Sequence, residues 1–315
     1  MRMQRKVQVV GLEDGNFNGC SHARGFALYF AEYMKLYLDC YPCILNQAIA
    51  ACRTAGISEP DQKEIFMEIL QLLVHANPEN PPIDLVADVH ALIKKKTGFE
   101  DLYIKQKHEG TQAALALSGH AKEIIDLSPD PIDTAVRMSI AGNIIDFGVN
   151  DSYDLSAEIE RVITQPYAIN HLEYLREDLH KGSRILFLAD NAGETVFDRL
   201  LIETIGKEVV YAVKEKPILN DALQADAIEA GLDRVAKIIS SGVDSPGTLL
   251  SRASEDFLQT YYAADVIIAK GQGNFEALSG QNENIYFLFQ AKCQTLARTI
   301  GTSVGGMIVK NARRA

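Results

Sequence analysis

Residues 184–198 read RILFLADNAGETVFD, and this stretch decides the predicted fold. Its first half is an apolar run without Gly or Pro and without a helical repeat, which is typical of a short buried strand. Asp190 and Asn191 follow where that strand should end, and a helix is predicted from about Thr195. A carboxylate and an amide oxygen suit a hard divalent cation, and the N-terminus of a helix favours an anion. The stretch therefore predicts metal and phosphate chemistry at one strand end.

Length and composition limit the classes of protein to which the chain can belong. The 315 residues, with 47% hydrophobic and 23% charged residues, are typical of a soluble globular protein of one large domain or two. A net charge of −11 argues against nucleic acid or an anionic membrane as a partner. We find no secretory signal and no apolar run near the ~20 residues of a membrane span. Five cysteines favour a reducing cytoplasm over a disulfide framework, so we expect a cytoplasmic protein.

The pattern of apolar residues divides the chain into three parts. Residues 1–33 mix charge, Gly and Asn, and they are either a poorly ordered extension or part of the fold. Residues 34–180 repeat apolar positions at helical spacing and predict an all-helical region, with no strong strand signal before residue 184. From residue 181 the period changes, and β-rich runs separated by helical stretches occur at 184–189, 208–213, 235–239, 264–268 and 285–289, with a further candidate at 304–309. This pattern predicts an α/β fold, in which residues 181–315 form a Rossmann-like, mostly parallel sheet with flanking helices.

Polar residues and glycines follow the predicted strands where the strands end. In open α/β sheets, ligands bind beyond the carboxyl ends of the strands. Those ends supply Asp190, Asn191, Gly193, Glu194, Lys214, Asn220, Asp221, Lys270, Gly271, Gly273, Asn274 and Lys292. Carboxylates and amides suit a cation, whereas lysines and glycine-rich turns suit a phosphate. Their convergence predicts a site for a metal and a small phosphorylated metabolite at one edge of the sheet.

Several of these segments resemble the damage-control phosphatases, a metal-dependent family. The resemblance is carried by LADNAGETVFD (188–198), PILNDA (217–222) and KGQGNFE (270–276). DCYPC (39–43) and AGNIIDFG (141–148) resemble the stand-alone microbial branch of that family. The resemblance implies a helical N-terminal region joined to a Rossmann-like core, with Mn, Mg, Co or Ni as the bound cation.

The resemblance also implies an activity and roles for particular residues. It carries the metal ligands of the family onto Asp190, Asn191 and Asp221, and the residue that holds the substrate phosphate onto Lys270. The implied reaction is hydrolysis of unwanted or damaged phosphometabolites, including sugar phosphates. The other residues predicted to bind substrate are Gly193, Glu194, Asn220, Gly271, Gly273, Asn274, Asn143 and Asp146.

Our mechanistic hypothesis is hydrolysis of a phosphate monoester by a metal-activated water. Lys270 and the amides of the glycine-rich turns would balance charge on the phosphoryl oxygens. Glu194 or Asp226 could orient the water. Direct attack by Asp190 on phosphorus ranks second, because the sequence lacks the Asp-x-Asp arrangement of aspartyl-phosphate enzymes.

Each of these residues also has a purely structural interpretation. The acidic and amide residues after the strands could cap helices or form turns, and Lys270 could be a surface lysine. Asn143 and Asp146 lie on an otherwise apolar helix, where they could form only hydrogen bonds between helices. Cys40-x-x-Cys43 could be packed reduced cysteines, part of a structural metal site or a redox motif.

Two other functions compete with the phosphatase. One is an S-adenosylmethionine-dependent carboxyl methyltransferase, an activity also claimed for some relatives of the resembled family. Such enzymes commonly hold the cofactor's ribose with an acidic residue after the second strand, where this chain has Val213 and Lys214. The other is a non-catalytic protein that binds a metal or a phosphometabolite. The sequence does not predict the oligomeric state.

Overall fold

Helices occupy the N-terminal part of the computed structural model, which describes residues 34–142 and 161–314. Their bounds are α1 Cys40–Thr54, α2 Glu59–His75, α3 Pro82–Thr97, α4 Ile104–Leu127 and α5 Pro131–Ala141. The hydroxyl of Ser58 caps α2, and the carboxylate of Asp130 caps α5 by accepting from Asp133 N at 3.1 Å. α3 ends at Gly98, whose φ of 72° is left-handed. These five helices confirm the helical spacing predicted for this part of the chain.

Seven strands form one sheet in the described part of the chain. Their bounds are β1 Tyr167–Asn170, β2 Ile185–Leu188, β3 Val209–Val213, β4 Lys237–Ser240, β5 Val266–Lys270, β6 Ile285–Gln290 and β7 Met307–Asn311. Their order is β1-β7-β6-β5-β2-β3-β4. β2 to β6 are parallel, β7 is antiparallel to β6, and β1 is parallel to β7. The predicted fold class is confirmed, and the carboxyl ends of β2 to β6 share one edge.

Helices cover both faces of the sheet. Those that follow β1 are α6 Leu172–Lys181, α7 Thr195–Ile205, α8 Gln224–Glu229, α9 Glu255–Ala263, α10 Gly271–Leu278 and α11 Gln294–Ile300. Alternate residues of each strand point to opposite faces, so Phe187 packs in the core with α4, α5 and α7. Leu186 packs in the other core with α9, α10 and α11. None of the described helices is long and apolar enough to span a membrane.

The hydrophobic cores do not divide at the predicted boundary between residues 180 and 181. α4 and α5 belong to the predicted helical region, yet their apolar residues share one core with the sheet. α1, α2 and α3 form a separate core among themselves, with Ile44, Ile69 and Ile93 buried in it. The N-terminal helices therefore serve two purposes: α4 and α5 cover one face of the sheet, whereas α1 to α3 pack mainly on one another, with Ile83 of α3 reaching the core on the other face.

β1 contradicts the prediction that residues 34–180 form an all-helical region. It has four residues and pairs with β7, where Tyr167 lies opposite Met307. Its residues alternate between half-buried and exposed, as expected for a strand at the edge of a sheet. A segment this short shows too few periods to be distinguished from a loop, and its partner lies far away in the sequence.

Candidate metal and phosphate site

Two backbone segments place the predicted metal ligands side by side at the carboxyl edge of the sheet. Asn191, just after β2, and Asp221, in the loop after β3, form an isolated antiparallel bridge. The amide of Ala222 donates to Asp190 O at 2.8 Å, so the loop folds back onto the end of β2. Asp190, Asn191 and Asp221 are thereby brought together.

Gly271 provides the space that the Asp190 carboxylate occupies. Its φ is +78°, and a Cβ atom at this position would lie 1.8 Å from Asp190 Oδ2. The start of α10, directly after β5, therefore lies against the carboxylate of Asp190, which follows β2, and only glycine fits there. Burial raises the pKa of Asp190, whereas the charges of Lys292, Lys214 and Lys270 oppose that shift.

The donor set at this place fits a divalent cation. Asn191 Nδ2 donates to Glu194 Oε1 at 2.7 Å, which orients the amide, and a cation would bind through Oδ1. Asp221 is 3% exposed, and its Oδ2 has no hydrogen-bond partner among the described residues. Burial raises the pKa of Asp221 to about 7, although Lys214 opposes this. A buried carboxylate oxygen without a hydrogen bond is suited to a metal.

A divalent cation would need the side-chain amide of Asn191 as well as the carboxylates of Asp190 and Asp221. Among the described residues, no group of three His, Cys, Asp or Glu side chains is arranged to hold a metal ion. A cation at this edge would therefore need Asn191 beside Asp190 and Asp221.

Lys270 lies at the end of β5 in a buried network of charges. Its ammonium donates to Asp198 Oδ1 at 2.6 Å, to Ser139 O at 2.8 Å and to Glu194 Oε2 at 3.0 Å. Asp198 also accepts from Ser139 Oγ at 2.7 Å and from Tyr211 OH at 2.8 Å. Burial opposes the charged form of Lys270, but the two carboxylates raise its pKa. Burial also raises the pKa of Glu194, to about 8.

The partners of Lys270 include functional candidates that sequence reasoning missed. Asp198 follows Glu194 by four residues, about one helical turn, and that spacing could have identified it. No sequence spacing could have identified Ser139 on α5 or Tyr211 on β3, because only the folded chain brings them to Asp198. The prediction that Lys270 holds the phosphate stays untested.

Two further lysines lie close to the carboxylates. Lys214, directly after β3, is 3% exposed, and its Nζ lies 3.5 Å from Asp221 Oδ2. Lys292, after β6, is exposed. Its charge opposes the upward pKa shifts of Asp190, Glu194 and Asp221, so it lies within electrostatic reach of all three.

Asn274 belongs to the scaffold beneath the candidate site. Its Nδ2 donates to Lys270 O at 2.7 Å and to Ala189 O at 3.1 Å, and its Oδ1 accepts from Thr248 Oγ1 at 2.8 Å. These bonds connect the ends of β2 and β5. Both polar atoms of the amide bond to protein, and its predicted contact with substrate stays untested.

The remaining predicted substrate residues occupy different places. Gly193 lies in the 3-10 turn Ala192–Glu194, and Asn220 is exposed, with its carbonyl accepting from Ala192 N at 2.9 Å. The backbone of Gly273 packs closely on that of Gly247, where a Cβ atom would lie 2.2 Å from Gly273 O. Asn143 and Asp146 lie outside the described residues.

Asp226, proposed from the sequence as a residue that orients water, has a different role. Its Oδ2 accepts from Leu223 N at 2.8 Å, which caps α8, and from Lys107 Nζ at 3.0 Å. The carboxylate is therefore occupied by the start of its own helix and by α4.

The two thiols of the Cys40-x-x-Cys43 motif are free. Burial raises the pKa of Cys40 to about 11 and also raises that of Cys43. A catalytic redox motif needs the opposite shift, because the thiolate is the reactive form.

Comparison with known proteins assigns the chain to a family. The model of the damage-control phosphatase ARMT1-like domain matches residues 36–308. The chain belongs to this family. A damage-control phosphatase of Pyrococcus horikoshii is 34% identical over 282 residues, which cover 87% of this chain and 97% of that protein. A damage-control phosphatase of Archaeoglobus fulgidus is 32% identical over 288 residues, covering 88% and 99%.

Structural comparison agrees with the assignment to the damage-control phosphatase family. The crystal structure of a DUF89 family protein from Pyrococcus horikoshii has a TM-score of 0.83 at 33% identity. The match covers 89% of this chain and 100% of that chain. The family predicted from the sequence is thereby confirmed, and membership supports a phosphatase activity.

Proposed function

We propose that this protein is a metal-dependent phosphatase that hydrolyses phosphate monoesters of small metabolites, such as sugar phosphates or damaged phosphometabolites. The observation that carries the proposal is the juxtaposition of Asp190, Asn191 and Asp221 at the carboxyl edge of the sheet. The buried Asp221 Oδ2 supports it, because its contact with a charged group of the described residues is a long ion pair of 3.5 Å with Lys214 and it accepts no hydrogen bond from them.

The two aspartates and the Asn191 amide would hold a divalent cation such as Mn²⁺, Mg²⁺, Co²⁺ or Ni²⁺. When bound, such a cation lowers the pKa of a water ligand and polarises a phosphoryl oxygen. Glu194 fixes the Asn191 amide through its hydrogen bond of 2.7 Å, so it acts as a positioning residue. Gly271, which follows the neighbouring strand β5, leaves the space that the Asp190 carboxylate occupies.

Positive charge at the same edge suits the phosphate of the substrate. α7 and α10 begin close to the ends of β2 and β5, and helix N-termini attract anions. The amide of Ala192, in the turn between β2 and α7, donates to Asn220 O and is not available to an anion. Lys292, exposed and within electrostatic reach of the carboxylates, would draw a phosphorylated metabolite towards them.

The methyltransferase alternative gains no specific support. Lys214 is buried directly after β3, where a nucleoside cofactor would need an acidic residue for its ribose. A rise in melting temperature on addition of S-adenosylmethionine would favour that alternative, because a ligand of the native state stabilises it.

The proposal is tested by phosphate release from p-nitrophenyl phosphate and a panel of sugar phosphates. Chelator-stripped protein is assayed with Mg²⁺, Mn²⁺, Co²⁺ and Ni²⁺ added singly. We expect release that requires a cation and is lost in Asp190→Ala. A folded protein that releases no phosphate with any of the four, or an Asp190→Ala variant with wild-type turnover, would contradict the proposal. Metal-dependent binding without release would favour the non-catalytic alternative.

A further inference from the structure

We propose that Lys214, rather than Lys270, is the buried cation that donates hydrogen bonds to the substrate phosphate. This inference rests on the proposed function, since it concerns the same site. It differs from the role that the family resemblance gives to Lys270, and it arises from what each ammonium group contacts.

The ammonium of Lys214 is buried, and its ion-pair partner among the described residues is Asp221 Oδ2 at 3.5 Å. The side chain is 3% exposed, and Nζ has no hydrogen-bond partner among the described residues. An ammonium group carries three N–H donors, and one long contact with a carboxylate leaves at least two of them without an acceptor, which is costly in a buried site. A protein tolerates such a group where a ligand supplies the acceptors, and the oxygens of a phosphate are strong acceptors.

The ammonium of Lys270 is equally buried but fully bonded. It contacts three acceptors, Ser139 O, Asp198 Oδ1 and Glu194 Oε2, which is as many as its donors can serve. Two of the three acceptors belong to carboxyl groups, so the positive charge of Lys270 is already neutralised by its protein partners. Lys270 would have to break protein hydrogen bonds before it could bind a phosphate.

Position and charge also favour Lys214. β3 lies next to β2, and Lys214 Nζ lies 3.5 Å from Asp221 Oδ2, beside the predicted metal ligands. With a divalent cation bound, Asp190, Asp221 and Lys214 together would carry one net positive charge. A buried site with that charge attracts the dianion of a phosphate monoester.

A competing explanation makes Lys214 only a counter-charge for the two aspartates. The two roles differ in their effect on phosphate binding once the cation is in place. A counter-charge matters mainly when the cation is absent, whereas a phosphate ligand matters when it is present.

The test is calorimetric titration of inorganic phosphate into chelator-stripped protein loaded with one equivalent of Mn²⁺. The variants are Lys214→Met and Lys214→Gln, two neutral replacements that guard against a folding defect in either one, with folding checked by thermal unfolding. The control is Lys216→Met, which removes the same charge from an exposed position in the same loop. The affinity for Mn²⁺ is measured separately for every protein.

We expect the Lys214 variants to bind phosphate about ten- to a hundredfold more weakly, the loss typical of a charge-assisted hydrogen bond. Their affinity for Mn²⁺ should stay equal or increase, because a repelling charge is removed, and Lys216→Met should match the wild type within about twofold. Phosphate affinity within about twofold of the wild type in both Lys214 variants would overturn the inference. Phosphate binding that falls only in proportion to Mn²⁺ binding would do the same. If the wild type binds no Mn²⁺, or no phosphate in its presence, the proposed function itself fails.

Discussion

Glu276, on α10, is a buried carboxyl group beside the candidate site. It is 7% exposed, and its Oε1 accepts a hydrogen bond of 2.7 Å from Gln272 Nε2. Burial raises the pKa of Glu276 to about 7, the bond from Gln272 opposes this shift, and the charge of Asp190 adds to it. Ionising Glu276 in the folded protein therefore costs free energy.

The replacement Glu276→Gln should stabilise the metal-free protein in a pH-dependent way. Between the ordinary carboxyl pKa of 4.5 and about 7, the folded state holds a proton that the unfolded state loses. The stability of the wild type therefore falls as the pH rises through this window. At pH 8 the variant should be more stable by about 3 kcal/mol, and near pH 4.5 the two proteins should be almost equal.

Denaturant unfolding in the presence of a chelator measures this difference at both pH values. Other carboxyl groups with raised pKa values are present in both proteins, so their contributions largely cancel in the comparison. An equal difference at pH 8 and pH 4.5 would show that Glu276 does not titrate as described.

Which residues reach the carboxyl edge could be predicted from the sequence, but their surroundings could not. Asp190, Asn191 and Asp221 were predicted to meet because parallel strands end at one edge, and the structure brings them together. The ammonium donors of Lys270 are fully bonded because Asp198 and Ser139, the latter from a helix distant in the sequence, accept from them. No local pattern encodes a contact of that kind, and so burial and bonding had to come from the structure.

At the level of elements, the contact between the ends of β2 and β5 depends on one glycine. Gly271 has φ of +78°, and a Cβ atom there would lie 1.8 Å from Asp190 Oδ2. Gly301, after α11, has nearly the same φ of +75°, but a Cβ atom there would meet nothing within 4 Å. Alanine would introduce similar backbone strain at both positions. Only at position 271 would it also collide with Asp190.

The matched pair Gly271→Ala and Gly301→Ala separates these two effects. Each should lose about 1–2 kcal/mol of stability from left-handed strain. Only Gly271→Ala should also weaken Mn²⁺ binding, by at least about tenfold, because Asp190 must turn away from its position. Mn²⁺ titration and thermal unfolding of both variants provide the comparison. Wild-type affinity for Mn²⁺ in a folded Gly271→Ala protein would contradict the role given to this contact.

The elements themselves were predictable to different degrees. β2, β5 and β6 are buried along nearly their whole length, so each is an apolar run that the sequence shows clearly. β1 is a four-residue edge strand with alternating burial, and its pairing with β7 depends on tertiary structure. Periodicity also identified the apolar faces of α4 and α5 without showing that those faces pack on the sheet.

Across the whole molecule, the N-terminal helices hold the loop that carries Asp221. Lys94 on α3 donates from Nζ to the carbonyl oxygen of Pro217. Lys107 on α4 is buried and pairs with Asp226 at 3.0 Å, just after that loop. These contacts make the helices part of the scaffold of the site, since one holds the loop between β3 and α8 and the other holds the first turn of α8.

The central claim is that Asp190, Asn191 and Asp221 form a divalent cation site. Its most direct test is to measure how many Mn²⁺ ions bind per chain of chelator-stripped protein. The concentration of unbound Mn²⁺ in the titration is measured by electron paramagnetic resonance. The variants are Asp190→Ala and Asp221→Ala, and the control is Asp256→Ala, at an exposed position on α9. We predict one Mn²⁺ per chain in the wild type and in the control, and none in either site variant. A wild type that binds no Mn²⁺, or folded site variants that bind it like the wild type, would contradict the claim.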